Sequence, residues 1–129
     1  MRKQNIRILI PFILTGFFLV YCWITLMVNN YIPGWKHYSA LFLFVILVLF
    51  GIKGFSKILF PLGIYLFLAS LHIISLSYRQ ETFFFGPDNP YNPHLQLVSV
   101  GIFVVYIILN LDGLIDIQLD REQRKLNKR

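Results

Sequence analysis

Three histidines are the side chains in this chain with the widest chemical range. Imidazole carries protons near neutral pH and binds zinc or copper, and the chain has His37, His72 and His94. Their spacing matches no metal-binding motif, so a three-histidine metal site requires the fold to bring three separate elements together. His37 and His94 fall beside apolar runs, at a predicted membrane boundary. The alternative to a metal site is that these two histidines are simply solvated there.

His72 differs from the other two histidines because it lies inside a long apolar run. An ionisable side chain within a membrane span is a functional candidate by default. One interpretation is a neutral histidine hydrogen-bonded to a neighbouring helix, as buried polar groups usually find partners. The other is a ligand contact, a proton relay or a quinone contact.

A polar face runs along the last apolar run. Ser99, Tyr106 and Asn110 recur at helical spacing, and Asp112 is the nearest acid at the end of this face. With His72 at the other end, these residues form a possible polar path for transport. Asn110 and Asp112 also offer oxygen donors for a cation. The alternative is that the acid begins a charged helical extension beyond the membrane.

An aromatic loop, residues 79–94, separates the last two apolar runs. It contains Phe83, Phe84, Phe85 and Tyr91, and its glycine and three prolines are typical of tight turns. Exposing this many aromatic side chains to water is unfavourable. We therefore expect them either to pack in the membrane interface or to recognise a partner.

Motifs for enzymatic chemistry are absent from the sequence. It has no phosphate-binding glycine loop, no HExxH and no GxSxG. The single cysteine, Cys22, excludes an internal disulfide and a paired-thiol redox centre. We predict no catalytic residue, no cofactor and no bound metal, with the three histidines as the weak metal candidates.

The composition places the chain in a membrane. Hydrophobic residues make up 57% of the 129 residues and charged residues only 14%, against about a quarter in soluble domains. A soluble protein of this size lacks the interior to bury so much apolar surface. The remaining apolar surface is therefore expected to face lipid.

Four apolar runs, at approximately 6–28, 36–53, 57–78 and 95–117, have the length of membrane-spanning helices. We predict an all-α membrane protein of one domain, residues 1–129, with four transmembrane helices in a small up-down bundle. The second run, Ala40 to Phe50, has no polar side-chain atom, which favours a peripheral helix. Residues 118–129 form a basic cytoplasmic tail.

The basic residues predict the orientation. Ten of the twelve lysines and arginines fall at the N-terminus, between runs two and three, or in the tail: Arg2, Lys3, Arg7, Lys53, Lys57, Arg121, Arg124, Lys125, Lys128 and Arg129. By the positive-inside rule both termini are cytoplasmic, in a cell membrane that we take to be the bacterial inner membrane. The net charge of +6 therefore indicates topology and not a nucleic-acid partner.

Three functions are compatible with these patterns. We expect a non-enzymatic accessory or assembly subunit that acts through helix contacts and the aromatic loop. Its partners would be the lipid bilayer and either another membrane protein or further copies of itself. The first alternative is a small oligomeric transporter or channel. The second is a membrane-embedded enzyme or redox module with histidines at the outer face.

Overall fold

A computed structural model describes residues 3–76, 82–84 and 94–128, without the side chains of residues 4, 82–84, 94 and 95. The described part is helical, with four α-helices and two strands of three residues each. In chain order these are α1 (Lys3–Val28), α2 (Trp35–Ile52), a 3-10 turn (Phe55–Ile58), α3 (Leu59–Ser70), β1 (Thr82–Phe84), β2 (His94–Gln96) and α4 (Leu97–Leu126). The strands pair antiparallel, with Phe83 opposite Leu95.

Three of the helices, α1, α2 and α4, are long and apolar enough to cross a membrane. This confirms the helical fold class and its compatibility with a membrane. In α2 only Ala40 and Leu47 are buried, as expected for a peripheral helix. The last helix continues past residue 117 to Leu126, so most of the basic tail is helical.

The third helix is shorter than the predicted span of 57–78. Its 12 residues, Leu59–Ser70, rise about 18 Å, well below the roughly 30 Å of a bilayer core. The chain leaves the helix because His72 adopts a left-handed backbone, with φ 57°. The amides of His72 and Ile73 then donate to the carbonyls of Ala69 and Leu68, each at 3.0 Å.

That pattern of backbone hydrogen bonds is a Schellman motif, which normally has glycine or asparagine at the left-handed position. Helix α1 ends in the same way, with Asn30 at φ 53° and the Tyr31 amide 3.0 Å from the Leu26 carbonyl. Hydropathy does not detect such a turn inside an apolar run. The expectation that His72 lies deep within a helix is therefore wrong, because it lies just beyond the end of α3.

The core draws residues from all four helices, and α3 contributes the most. The small or polar residues Thr15, Cys22, Ser70 and Ser99 are also buried. Helix α2 packs along the side of this core. The Phe12 and Phe44 rings stack with centroids 5.3 Å apart.

In the described part of the chain, three hydrogen bonds from a buried side chain to a backbone carbonyl join neighbouring helices. We call these the carbonyl ties. They run from Tyr65 Oη to Ala40 O at 3.0 Å, from Tyr106 Oη to Leu59 O at 2.6 Å, and from Asn110 Nδ2 to Arg7 O at 3.1 Å. They connect α3 to α2, α4 to α3 and α4 to α1, in that order. Every α-helix therefore takes part in at least one tie.

The tie from Tyr106 depends on a glycine. A Cβ atom built on Gly63 would lie 2.8 Å from Tyr106 Oη and 3.1 Å from two of its ring carbons. No side chain larger than hydrogen therefore fits at Gly63 unless the tyrosine moves. Close approach at small residues is a main source of helix association where lipid removes the hydrophobic drive.

We predict that Gly63→Ala destabilises the fold by about 1–3 kcal/mol, the usual range for overpacking. Gly101→Ala is the matched control, because a Cβ atom there meets nothing within 4 Å and alanine improves helix propensity equally at both positions. Unfolding of the purified protein in detergent provides the measurement. Equal stability of the two alanine variants would show that Tyr106 does not pack on Gly63.

Candidate functional site

The most developed polar site lies where the beginning of α1 meets α4. Pro11 has no backbone N–H, so the carbonyl of Arg7 has no donor four residues later in α1. Asn110 Nδ2 donates to that carbonyl and to the carbonyl of Tyr106, both at 3.1 Å. Asn110 is 3% exposed. The amide thus compensates for the donor that proline removes and joins the two helices.

Asp112 lies on the exposed side of the same site. Its Oδ2 is 3.3 Å from Arg7 Nη1, with 81% of the Asp112 side chain and 49% of the Arg7 side chain exposed. A salt bridge this exposed contributes about 0–1 kcal/mol. A cation held by Asn110 and Asp112 would have to compete with the Arg7 guanidinium.

A second polar cluster lies at the opposite end of α4 and consists of Gln96, Ser99 and the backbone of residues 75–76. Gln96 Oε1 accepts hydrogen bonds from Ser99 Oγ at 2.7 Å and from the Leu76 amide at 3.3 Å. The Ser75 amide donates to the Lys36 carbonyl at 3.3 Å. The non-helical segment after α3 is therefore anchored to α2 and to Gln96, the N-cap residue of α4.

The residues of the predicted polar path fall into a buried group and a more exposed group. Ser99, Tyr106 and Asn110 share one buried face of α4, as their spacing indicated. Each of them is already hydrogen-bonded to another part of the chain. Asp112 is exposed, and His72 is half-buried at the turn after α3. The buried residues of the predicted path therefore serve as hydrogen-bond donors within the fold.

The metal prediction depends on a side chain that is outside the described part of the structure. His37 lies in the first turn of α2 and His72 at the end of α3. The structure describes the backbone of His94 in β2 but not its side chain. Among the described side chains, no group of three His, Cys, Asp or Glu residues could hold a metal ion.

The structure describes only residues 82–84 and 94 of the aromatic loop. The backbones of Phe83 and Phe84 belong to β1, opposite Leu95 and His94. Their side chains, and all of Phe85 and Tyr91, lie outside the described residues. Whether these rings contact the interface or a partner therefore stays a prediction.

Sequence reasoning missed three participants in these sites: the Arg7 carbonyl, Tyr65 and Gln96. The signal for the first was available, since Pro11 follows Arg7 by four residues and leaves its carbonyl without a donor. A buried tyrosine in an apolar run also predicts a hydrogen-bond partner, although not which carbonyl. Gln96 lies at the edge of the fourth run and carried no comparable signal.

Comparison with family models, with curated proteins and with solved structures finds no match to this chain. Its function therefore has to be argued from its own residues and their contacts.

We predict that His72→Gly gives a protein about 1 kcal/mol more stable than His72→Ala, because only glycine adopts φ near 57° without strain. Both variants lack the imidazole, so the comparison isolates the backbone. Unfolding in detergent measures the difference. If the alanine variant equals or exceeds the glycine variant, His72 does not hold a left-handed turn.

Proposed function

We propose that this chain is an integral membrane protein whose four apolar segments cross the bilayer as an up-down bundle, with both termini in the cytoplasm of a bacterial cell. Two observations support this proposal. Three helices are long and apolar enough to cross a membrane, and ten of the twelve basic residues lie at the N-terminus, between the second and third apolar runs or in the tail, which the up-down arrangement places on one side. The short α3 is compatible with crossing because the 3-10 turn before it and residues 71–76 after it extend the segment. Ile74, Ser75 and Leu76 are buried, and non-helical backbone is tolerated in a membrane where protein covers it.

The outward side chains support a lipid environment. Met27, Ile108 and Phe42 are 67–70% exposed, and they lie on three different helices. Exposed apolar surface on every long helix is unstable in water but ordinary in hydrocarbon. Tyr31, which follows α1, and Trp35, the first residue of α2, are also exposed, and amphipathic rings at such helix ends anchor a protein at the membrane interface.

Within the membrane, we assign the chain a non-enzymatic role as an accessory or assembly subunit. The observation that carries this assignment is that Ser99, Tyr106 and Asn110 donate their hydrogen bonds within the chain. A transport path needs polar groups that are available to a solute, and a catalytic site needs groups that converge on one. Tyr106 and Asn110 instead join α4 to α3 and α1, and Ser99 binds Gln96 at the start of α4, as a rigid scaffold requires.

The partner surface that we assign is the outward face of α2, together with the aromatic loop. Helix α2 is the least buried of the long helices and carries large exposed side chains such as Phe42 and Leu49. Membrane helices associate through packing, and the exposed side chains of this face are available to a partner.

We expect site-specific photo-crosslinking to identify this surface in native membranes. A photoreactive residue at Phe42 or Leu49 should give one discrete protein adduct. The matched control is Ile108, which is 70% exposed on α4 and should react with lipid alone. Adducts of equal yield from both helices, or none from α2, would contradict the assignment to an accessory subunit.

A further inference from the structure

Two neighbouring grooves separate α3 from α4 and meet at Phe60 and Leu114, which line both. The first groove, of about 260 Å³, is apolar and is lined further along by Ile64, Phe67 and Ile107. The second, of about 390 Å³, has a polar wall. Because they share two residues, the two grooves form one continuous surface groove that is apolar at one end and polar at the other.

The polar groove carries a net positive charge. Arg121 and Lys125 lie one turn apart on the face of α4 that lines it, together with Gln118 and one acid, Glu122. The Arg121 guanidinium lies 5.1 Å from the centroid of the Phe60 ring, the residue at which the two grooves meet. This cation–π contact holds the guanidinium at the end of the apolar groove.

We propose that these grooves form a site for one anionic phospholipid. An acyl chain lies along the apolar groove, and the headgroup phosphate binds Arg121 and Lys125. Basic pockets between transmembrane helices on the cytoplasmic side recognise such headgroups, and guanidinium groups bind phosphate through paired hydrogen bonds. The inference rests on the proposed membrane location, which places α4 beyond residue 117 at the cytoplasmic leaflet.

The charge of the grooves favours a lipid over an apolar partner helix. The apolar groove, of about 260 Å³, offers room for a linear acyl chain. At its end, Arg121 and Lys125 outnumber the one acid, Glu122, and the remaining positive charge matches a phosphate but has no partner on an apolar helix.

Native mass spectrometry of the full chain, purified in detergent with equal amounts of phosphatidylglycerol and phosphatidylcholine of the same acyl chains, tests the site. We expect the wild type to retain phosphatidylglycerol preferentially. The double variant R121Q/K125Q should lower that retention on the order of tenfold, given the contribution of each cation near an anionic lipid. The charge-matched control K53Q/R124Q removes two cations that do not line the groove, and it should retain the lipid as the wild type does.

Four further outcomes would each contradict the lipid site, part of it, or the membrane location. Equal retention of both lipids, or equal loss in both double variants, would overturn the lipid site. Displacement of the lipid by soluble glycerol phosphate would overturn the role of the apolar groove, which Ile107→Trp should independently block. Extraction of native membranes at alkaline pH separates this from the wider proposal, since release of the chain by that treatment would contradict membrane insertion itself.

Discussion

Buried polar groups that need a hydrogen-bond partner are the constraint that organises this fold. In an apolar environment an unpaired polar group is costly, so a neighbouring helix has to supply the partner. Pro11 creates one unsatisfied acceptor at Arg7, and Asn110 fills it from α4. Tyr106 and Tyr65 donate to carbonyls of α3 and α2, and here the group that gains a partner is the buried tyrosine hydroxyl. Buried polar side chains thereby connect helices that hydrophobic burial alone would not hold together in lipid.

The same constraint explains which parts of the fold were accessible to sequence reasoning. Apolar length located α1, α2 and α4, and helical spacing placed Ser99, Tyr106 and Asn110 on one inward face. The end of α3 was not accessible, because the turn at His72 is made by backbone amides within an uninterrupted apolar run. Hydropathy records the solvent of a segment and not its hydrogen bonds.

The sequence predicted Asn110 and Asp112 as members of the candidate site, but not Arg7 and not how each residue is used. Asn110 and Asp112 lie two residues apart and both close to Arg7, yet one is buried against a carbonyl and the other is exposed beside a guanidinium. Which carbonyl a polar side chain reaches depends on the register between helices, and a single sequence does not contain that register. The buried polar side chains bond within the chain and stabilise the fold. The outward surfaces of α2 and α4 are then the parts available for interactions. A scaffold with such surfaces fits an accessory role in a membrane assembly.

A double-mutant cycle between Pro11 and Asn110 tests the central claim most directly. Pro11→Ala restores the N–H that satisfies Arg7 within α1, so Asn110→Ala should be less destabilising in that background than in the wild type. The expected coupling is about 0.6–1.7 kcal/mol, the range from average to largest for hydrogen bonds between membrane helices. Additive effects, within the roughly 0.3 kcal/mol found for independent sites, would show that Asn110 does not serve the carbonyl that proline leaves free.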